Sequence, residues 1–287
     1  MVFIASFLAS QSLYLHRNVR LRFISKLVIK RQPTFNAVDK NSAALFLFTT
    51  TANHKLQTLN YKLIFSFVAM RKFEDTYQHK GMRNQLIKVL RSKGITDENV
   101  LNAINQIPRH YFLDSAFDKI AYEDRAFPIG EGQTISQPYT VAYQTQLLQV
   151  KRNEKVLEIG TGSTYQATVL AEIGAKVFTI ERQKNLFEKT KDYYFKAKYP
   201  WLKFFYGDGF EGLPTYAPFD KVIITAAAPF IPPKLVAQMK TGGLMVIPVD
   251  EGTSQRMLRI TKKEDGTYSE ELFDLFSFVP MLTGKNG

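Results

Sequence analysis

The chain has 287 residues, enough to bury a full α/β core, and 45% of them are hydrophobic, as in ordinary globular proteins. It contains no cysteine, which excludes structural disulfides and is compatible with a reducing cytosol. The formal net charge of +12 is uneven: residues 1 to 69 carry nine Lys or Arg and one acid, Asp39, whereas the rest carries 29 basic and 25 acidic residues. A basic footprint for nucleic acid should sit on the functional part of a chain, so this distribution predicts no nucleic-acid partner.

Residues 1 to 69 contain short apolar runs (Val2 to Leu8, Leu45 to Phe48, Leu63 to Val68) separated by Ser, Thr, Asn and basic residues. None approaches the roughly 20 residues of a membrane helix, and no membrane association is expected. Three readings stand for this stretch: an Arg-rich, acid-poor transit-type leader, an added module, or translated upstream sequence with Met70-Arg-Lys-Phe-Glu-Asp75 as the working start. The last is favoured, and the segment is expected to be a disordered extension.

From residue 70 the pattern becomes regular. Met82 to Ser92 reads as a helix with Leu86, Val89 and Leu90 inward and Gly94 ending it, and Thr96 is expected to cap a second helix reaching Ile104 or Ile107. His110, in Pro108-Arg-His-Tyr-Phe112, has no acid or nucleophile beside it, so a structural hydrogen bond is the favoured role. Nothing local identifies a partner for Arg109. Histidines at 16, 54, 79 and 110, without cysteine, give no zinc-type spacing, and no metal is expected.

The most informative stretch is Val156-Leu-Glu-Ile-Gly-Thr-Gly-Ser-Thr-Tyr-Gln166, followed by Ala175 to Ile180 and Glu181. Lys155 to Ile159 suits a buried parallel strand, Gly160 and Gly162 permit a sharp turn, and Ala167, Leu170 and Ala171 recur at helical spacing before Gly174. The unit is βαβ. An acid at the end of the second strand, about 20 residues past the glycines, can accept hydrogen bonds from both hydroxyls of a ribose. Glu158 beside the turn suits a cofactor carrying an ammonium and would repel a pyrophosphate.

Downstream, Gln183 to Tyr199 is expected as a long helix and Trp201 to Tyr206 as a third strand delivering Gly207-Asp208-Gly209. Pro218 to Pro229 gives a fourth buried strand with small residues where it meets the ligand crevice. Pro232-Pro233 opens a helix that ends before Gly242-Gly243, and strands follow over Leu244 to Val249, Arg256 to Thr261 and Leu272 to Val279.

Glu158-x-Gly160-x-Gly162 with an acidic strand end resembles the first motifs of class I S-adenosylmethionine-dependent methyltransferases. Phe127-Pro-Ile-Gly-Glu-Gly-Gln-Thr-Ile-Ser-Gln-Pro-Tyr139, together with Ile107 to Phe112, Ala121-Tyr-Glu-Asp124 and Phe278-Val-Pro-Met-Leu282, narrows the resemblance to the protein-L-isoaspartate O-methyltransferase family. That resemblance spans about residues 82 to 284, and it takes Phe278 to Leu282 as the last strand. Its implications form one set. The fold would be a doubly wound, Rossmann-like, mostly parallel sheet of seven-stranded type with an N-terminal helical subdomain: residues 70 to 150 for the subdomain and substrate loop, residues 151 to 287 for the cofactor domain. The activity would be methylation of the free carboxylate of isoaspartyl residues in damaged proteins or peptides, by a cytoplasmic monomer using S-adenosylmethionine.

The resemblance implies cofactor contacts from Glu158, Gly160, Thr161, Gly162, Ser163, Tyr165, Gln166, Glu181, Arg182, Asp208, Gly209 and Thr225. It implies acceptor contacts from Gln133, Thr134, Ile135 and Ser136, with Ser136 the active-site residue. A carboxyl with a pKa of about 3.5 is already ionised at neutral pH and needs no general base, so Ser136 is read as a hydrogen-bond donor and not as a nucleophile. A second reading makes Ser136 the cap of the helix that starts near Pro138. Thr164 stands where many family members have a third glycine, although Thr is small and can cap a helix. Rival readings are a methyltransferase acting on RNA or a small molecule, or a non-catalytic binding module motivated by Thr164. A dehydrogenase is disfavoured by Glu158. Deletion of residues 1 to 69 should leave folding and activity intact; loss of soluble protein on that deletion would refute the upstream reading.

Overall fold

The computed structural model describes residues 73 to 287, so the expectations for residues 1 to 69 and for a start at Met70 lie outside the described residues. Helix α1 (Tyr77–Ser92) begins five residues before the expected Met82. The cause is Thr76, whose hydroxyl accepts from the His79 amide while the His79 ring faces the Thr76 amide, a reciprocal cap that sequence scanning passed over. Helix α2 (Glu98–Gln106) is capped by Asp97, which accepts from the Asn99 and Val100 amides, and not by Thr96. The Thr96 and Asp97 amides are instead taken by the Gln146 side chain.

A two-stranded hairpin follows, β1 (Phe127–Gly130) and β2 (Gln133–Ile135), where the sequence suggested only a loop. Glu131 and Gly132 both have positive φ (54° and 66°), the backbone that the tight turns of hairpins require. Helix α3 (Pro138–Leu148) leads into the sheet.

The first βαβ unit is β3 (Lys155–Ile159), α4 (Tyr165–Ile173) and β4 (Lys176–Glu181). Next come a short helix α5 (Lys184–Lys189), β5 (Lys203–Tyr206), β6 (Phe219–Ile224), α6 (Pro233–Ala237), β7 (Met239–Asp250), β8 (Gln255–Lys262) and β9 (Tyr268–Phe276). The seven strands lie in the order β5-β4-β3-β6-β7-β8-β9. The first five are parallel, and β8 and β9 are antiparallel to their neighbours. Buried residues of α3 and α4 pack on one face with Val156, Val177 and Ile223, while Leu235 and Val236 of α6 pack on the other with Leu157, Val222 and Ile224. A third cluster joins α1, α2, the hairpin and the first turns of α3 and α4. With helices on both faces, β3, β4 and β6 read as continuous apolar runs.

The structure departs from the sequence pattern at three places. The long helix over Gln183 to Tyr199 stops at Lys189: Thr190 turns its hydroxyl back on the Phe187 carbonyl, one 3₁₀ turn follows, and Tyr193, Tyr199 and Leu202 pack separately on the sheet. Tyr193 is anchored there by a 2.6 Å bond between its hydroxyl and that of Thr168. Gly242-Gly243 does not terminate a helix but lies inside β7, where the pairing with β6 shifts register and Gly243 passes close to the Lys240 and Asp220 carbonyls. The last strand ends at Phe276, not Val279. Beyond it the chain crosses to the loop after β6, where the Ala227 amide donates to Val279 and the Met281 amide donates back to Ala227.

Candidate active site

One cleft of about 820 Å³, counting its open mouth, lies at the C-terminal ends of β3, β4 and β6, the place where open α/β sheets receive ligands. Its wall brings together Gln133, Thr134, Ile135 and Ser136 from the hairpin, Gly160 to Ser163 with Tyr165 and Gln166 from the glycine turn, Glu181 and Arg182 from the end of β4, Gly209, and Thr225. Sequences separated by nearly one hundred residues thus share one surface. Two expected residues, Glu158 and Asp208, do not line it.

The turn is built tightly. Gly160 has φ of 97°, and a Cβ there would come within 2.5 Å of the Thr225 hydroxyl, which itself donates to the carbonyls of Ile159 and Gly160. Glu181 holds the turn from the other side: one carboxylate oxygen accepts from the Gly162 amide and the second from the Gln183 amide, each at 2.8 Å. Thr161 bonds Thr179 through their hydroxyls at 2.7 Å.

Thr164 takes φ of 71°, the left-handed backbone that a glycine would adopt there, and no side-chain capping bond forms. Its side chain faces a separate aromatic groove and is absent from the cleft wall. The position therefore tolerates a side chain without narrowing the site. Ser136 does not act as the α3 cap, since Gln137 occupies that position and caps with no side chain. The Ser136 carbonyl instead receives the Arg109 guanidinium at 2.8 Å.

Glu158 lies in β3 behind the turn, wholly buried, with neither carboxylate oxygen in a well-formed hydrogen bond among the described residues, although the Thr179 hydroxyl beside it offsets part of the effect of burial. Burial pushes its carboxyl up to about 8, with the charge of Glu181 adding to the rise. Burial thus favours the neutral acid in the ligand-free site, where the sequence suggested a counter-charge. Asp208 spends both oxygens on backbone: one accepts from the Phe210 amide at 2.9 Å, the other from the Gly284 amide at 2.6 Å.

Residues 279 to 282 form the longest stretch of the wall that the sequence does not assign, beside Val141, Ile159, Ile180, Gln183 and Ala226. Val279, Pro280, Met281 and Leu282 line the cleft, and Arg182 grips the chain just beyond them through the carbonyls of Thr283 and Gly284. The motif Phe278 to Leu282 is the available signal, and the structure makes it a crossing segment bonded to Ala227 in place of the expected strand.

His110 stands apart from the cleft. It is buried, stacked on His79 with ring centroids 3.8 Å apart, bonded to the Tyr122 hydroxyl at 2.8 Å, and held down to about 4 by burial and by His79. Asp75, His79 and His110 place ligand atoms within 4.8 Å of one another, yet Asp75 gives both oxygens to Arg83 and His110 has both ring nitrogens engaged. These groups are committed to protein partners.

Comparison with known proteins decides the family. The model of the protein-L-isoaspartate(D-aspartate) O-methyltransferase family matches residues 81 to 286. The chain belongs to that family. A protein-L-isoaspartate O-methyltransferase from Cytophaga hutchinsonii is 56% identical over 214 residues, covering 75% of this chain and 96% of that protein. The one from Flavobacterium psychrophilum is 55% identical over 213 residues, covering 74% and 100%. A solved protein-L-isoaspartate O-methyltransferase superposes with a TM-score of 0.63 at 26% identity, over 69% of this chain and 65% of that one, so the chain spans just under two thirds of that structure. A Plasmodium falciparum structure described as a member of the family in complex with S-adenosyl-L-homocysteine superposes with a TM-score of 0.60 at 25% identity, over 71% and 98%. The sheet and its flanking helices are those of a class I, Rossmann-like methyltransferase.

Glu158 yields a pH-dependent prediction. A carboxyl held at about 8 in the fold, against 4.5 unperturbed, contributes stability fully below the unperturbed value and loses it as pH rises through 8. In the ligand-free protein, Glu158→Gln should therefore flatten the fall of Tm between about pH 5 and pH 8, and its Tm should exceed that of the wild type at the upper end. Melting curves that stay parallel across that range would contradict a neutral buried Glu158.

Proposed function

We propose that this protein transfers the methyl group of S-adenosylmethionine to the free carboxylate of isoaspartyl residues in damaged proteins or peptides. The supporting observation is that the hydroxyl-bearing hairpin end, Thr134 and Ser136, and the glycine turn with Glu181 face one cleft. A carboxylate acceptor and a ribose-bearing methyl donor are thereby brought to the same place.

The cleft suits the donor on its own chemistry. Glu181 stands at the ribose position, Gly160 to Ser163 offer backbone without bulk, and Tyr165 and Gln166 line the wall beside them. Thr161, Arg182, Gly209 and Thr225 complete this side, with Asp208 acting at its edge by holding Gly284, and Glu158 shaping the methionine side from behind. S-adenosylmethionine supplies an electrophilic methyl on a sulfonium.

The remaining steps belong to the chain. Gln133, Thr134, Ile135 and Ser136 hold the acceptor carboxylate by hydroxyl and backbone donors and aim one oxygen at the methyl. Holding nucleophile and methyl in line can supply a large share of the acceleration, and the wall formed by Val279 to Leu282 excludes water from the carboxylate. No general base is needed, because the carboxylate is already ionised. The ester formed is a better leaving group than the acid; the neighbouring amide nitrogen closes on it, methanol departs, and hydrolysis of the succinimide restores some normal aspartate.

On this reading residues 70 to 150 form the helical and substrate-binding part and residues 151 to 287 the cofactor domain, and the protein works as a cytoplasmic monomer without nucleic acid. In support, the basic excess falls outside the catalytic part, and no helix among the described residues is long and apolar enough to cross a membrane.

The test uses methyl-labelled S-adenosylmethionine and two peptides that differ only in isoaspartate or aspartate at one position, with base-labile ester counted. Label on the isoaspartyl peptide alone is expected. Label on neither, with S-adenosylhomocysteine still bound, would sink the reading. Ser136→Ala should lower kcat by about 10- to 100-fold while leaving S-adenosylhomocysteine affinity within about threefold, as expected for a lost donor to the acceptor.

A further inference from the structure

Arg109 opens the 3₁₀ turn Arg109–Phe112 and is fully buried. Its guanidinium meets carbonyls: Nε donates to Ala121 at 3.1 Å, and Nη2 donates to Ser136 at 2.8 Å and to Arg125 at 3.5 Å. Arg125 lies two residues before the hairpin begins at Phe127, and Ser136 follows Ile135, where it ends. One planar group therefore ties together the two ends of the hairpin. The same guanidinium lies 4.8 Å from the centre of the Tyr165 ring, which opens α4 directly after the glycine turn.

A buried cation is strongly unfavourable unless its donors are used, and an apolar side chain would fill the same volume without that penalty. Burial lowers the guanidinium only to about 10, so it stays charged at neutral pH. Lysine presents a point charge and cannot reach several carbonyls in one plane while lying on a ring. The geometry is thus specific to arginine, and it joins the acceptor side of the cleft to the donor side.

We propose that Arg109 is a positioning residue for methyl transfer: by clamping both ends of the β1–β2 hairpin and lying over the Tyr165 ring, it fixes Ser136 relative to the glycine turn. Arg109 is not in the cleft wall and acts through the Ser136 backbone and the Tyr165 ring. The inference rests on the reading that Ser136 holds the acceptor carboxylate.

The test compares the full chain with Arg109→Lys and Arg109→Gln by amide exchange, by calorimetry with S-adenosylhomocysteine, and by kcat and KM on an isoaspartyl peptide. In a folded variant, exchange over residues 127 to 137 should quicken about tenfold while β3 and β6 keep their protection. Cofactor-product affinity should stay within about threefold while kcat falls about 100-fold, the scale of a misplacement near 1 Å, with lysine no better than glutamine. Three results would overturn the proposal: unchanged exchange in the hairpin with near-normal kcat, loss of protection spread equally through β3 and β6, or failure of both variants to fold, which would make Arg109 a general structural residue. A wild-type protein that labels no isoaspartyl peptide would remove the functional reading alone, because the exchange comparison still decides whether Arg109 holds the hairpin.

Discussion

The site depends on the register of one parallel pair. Ile159 of β3 lies opposite Ile180 of β4, so the glycine turn and Glu181 leave the sheet at the same level, and the Gly162 amide can reach the Glu181 carboxylate. A slip of one residue would reverse which side chains face each layer and send Glu181 away from the turn. The Gly160 amide also bonds back to the Ile180 carbonyl, which extends the pairing into the turn itself. Thr225, reached through the β3–β6 pairing, closes the arrangement from the opposite flank.

Around this frame the fold places an unusual amount of unpaired polarity. Glu158, Gln144 and Gln166, with Tyr165 and Arg109 beside each other, all carry buried polar atoms outside any well-formed hydrogen bond among the described residues. Most buried polar groups in native proteins are satisfied, and of these exceptions Tyr165 and Gln166 belong to residues that line the cleft. Other buried polar groups nearby are paired: Arg83 with Asp75 and Tyr122, and Thr168 with Tyr193.

Most of the sheet was legible in the sequence because buried parallel strands are dense apolar runs and the glycine turn separates strand from helix. Lys155–Ile159 was read to the residue. The errors came where side chains override local pattern. Tyr193 leaves an apparently helical run to find Thr168, and Gly242-Gly243 looks like a terminator but serves a register shift within a strand. Of the cleft, the residues that carry motifs were legible, and the Val279 to Leu282 wall was legible only as a motif whose shape was misjudged. Arg109 was noticed but had no partner in sequence, because its partners are backbone carbonyls, which every residue has. The depth of Glu158 was also hidden, since alternation cannot tell a residue behind a turn from one facing the ligand.

The Val279 to Leu282 wall links ligand binding to folding. Ala227 holds Val279 and Met281, Arg182 and Asp208 hold Thr283 and Gly284 just beyond the wall, and the opposite wall comes from a hairpin some 150 positions earlier in the chain. A cleft assembled from such distant segments exists only when all of them have docked. A ligand filling it therefore adds RT ln(1 + [L]/Kd) to the free energy of the completed fold and nothing to partly closed forms. The melting temperature of the protein would then depend on the concentration of methyl donor or of its spent product.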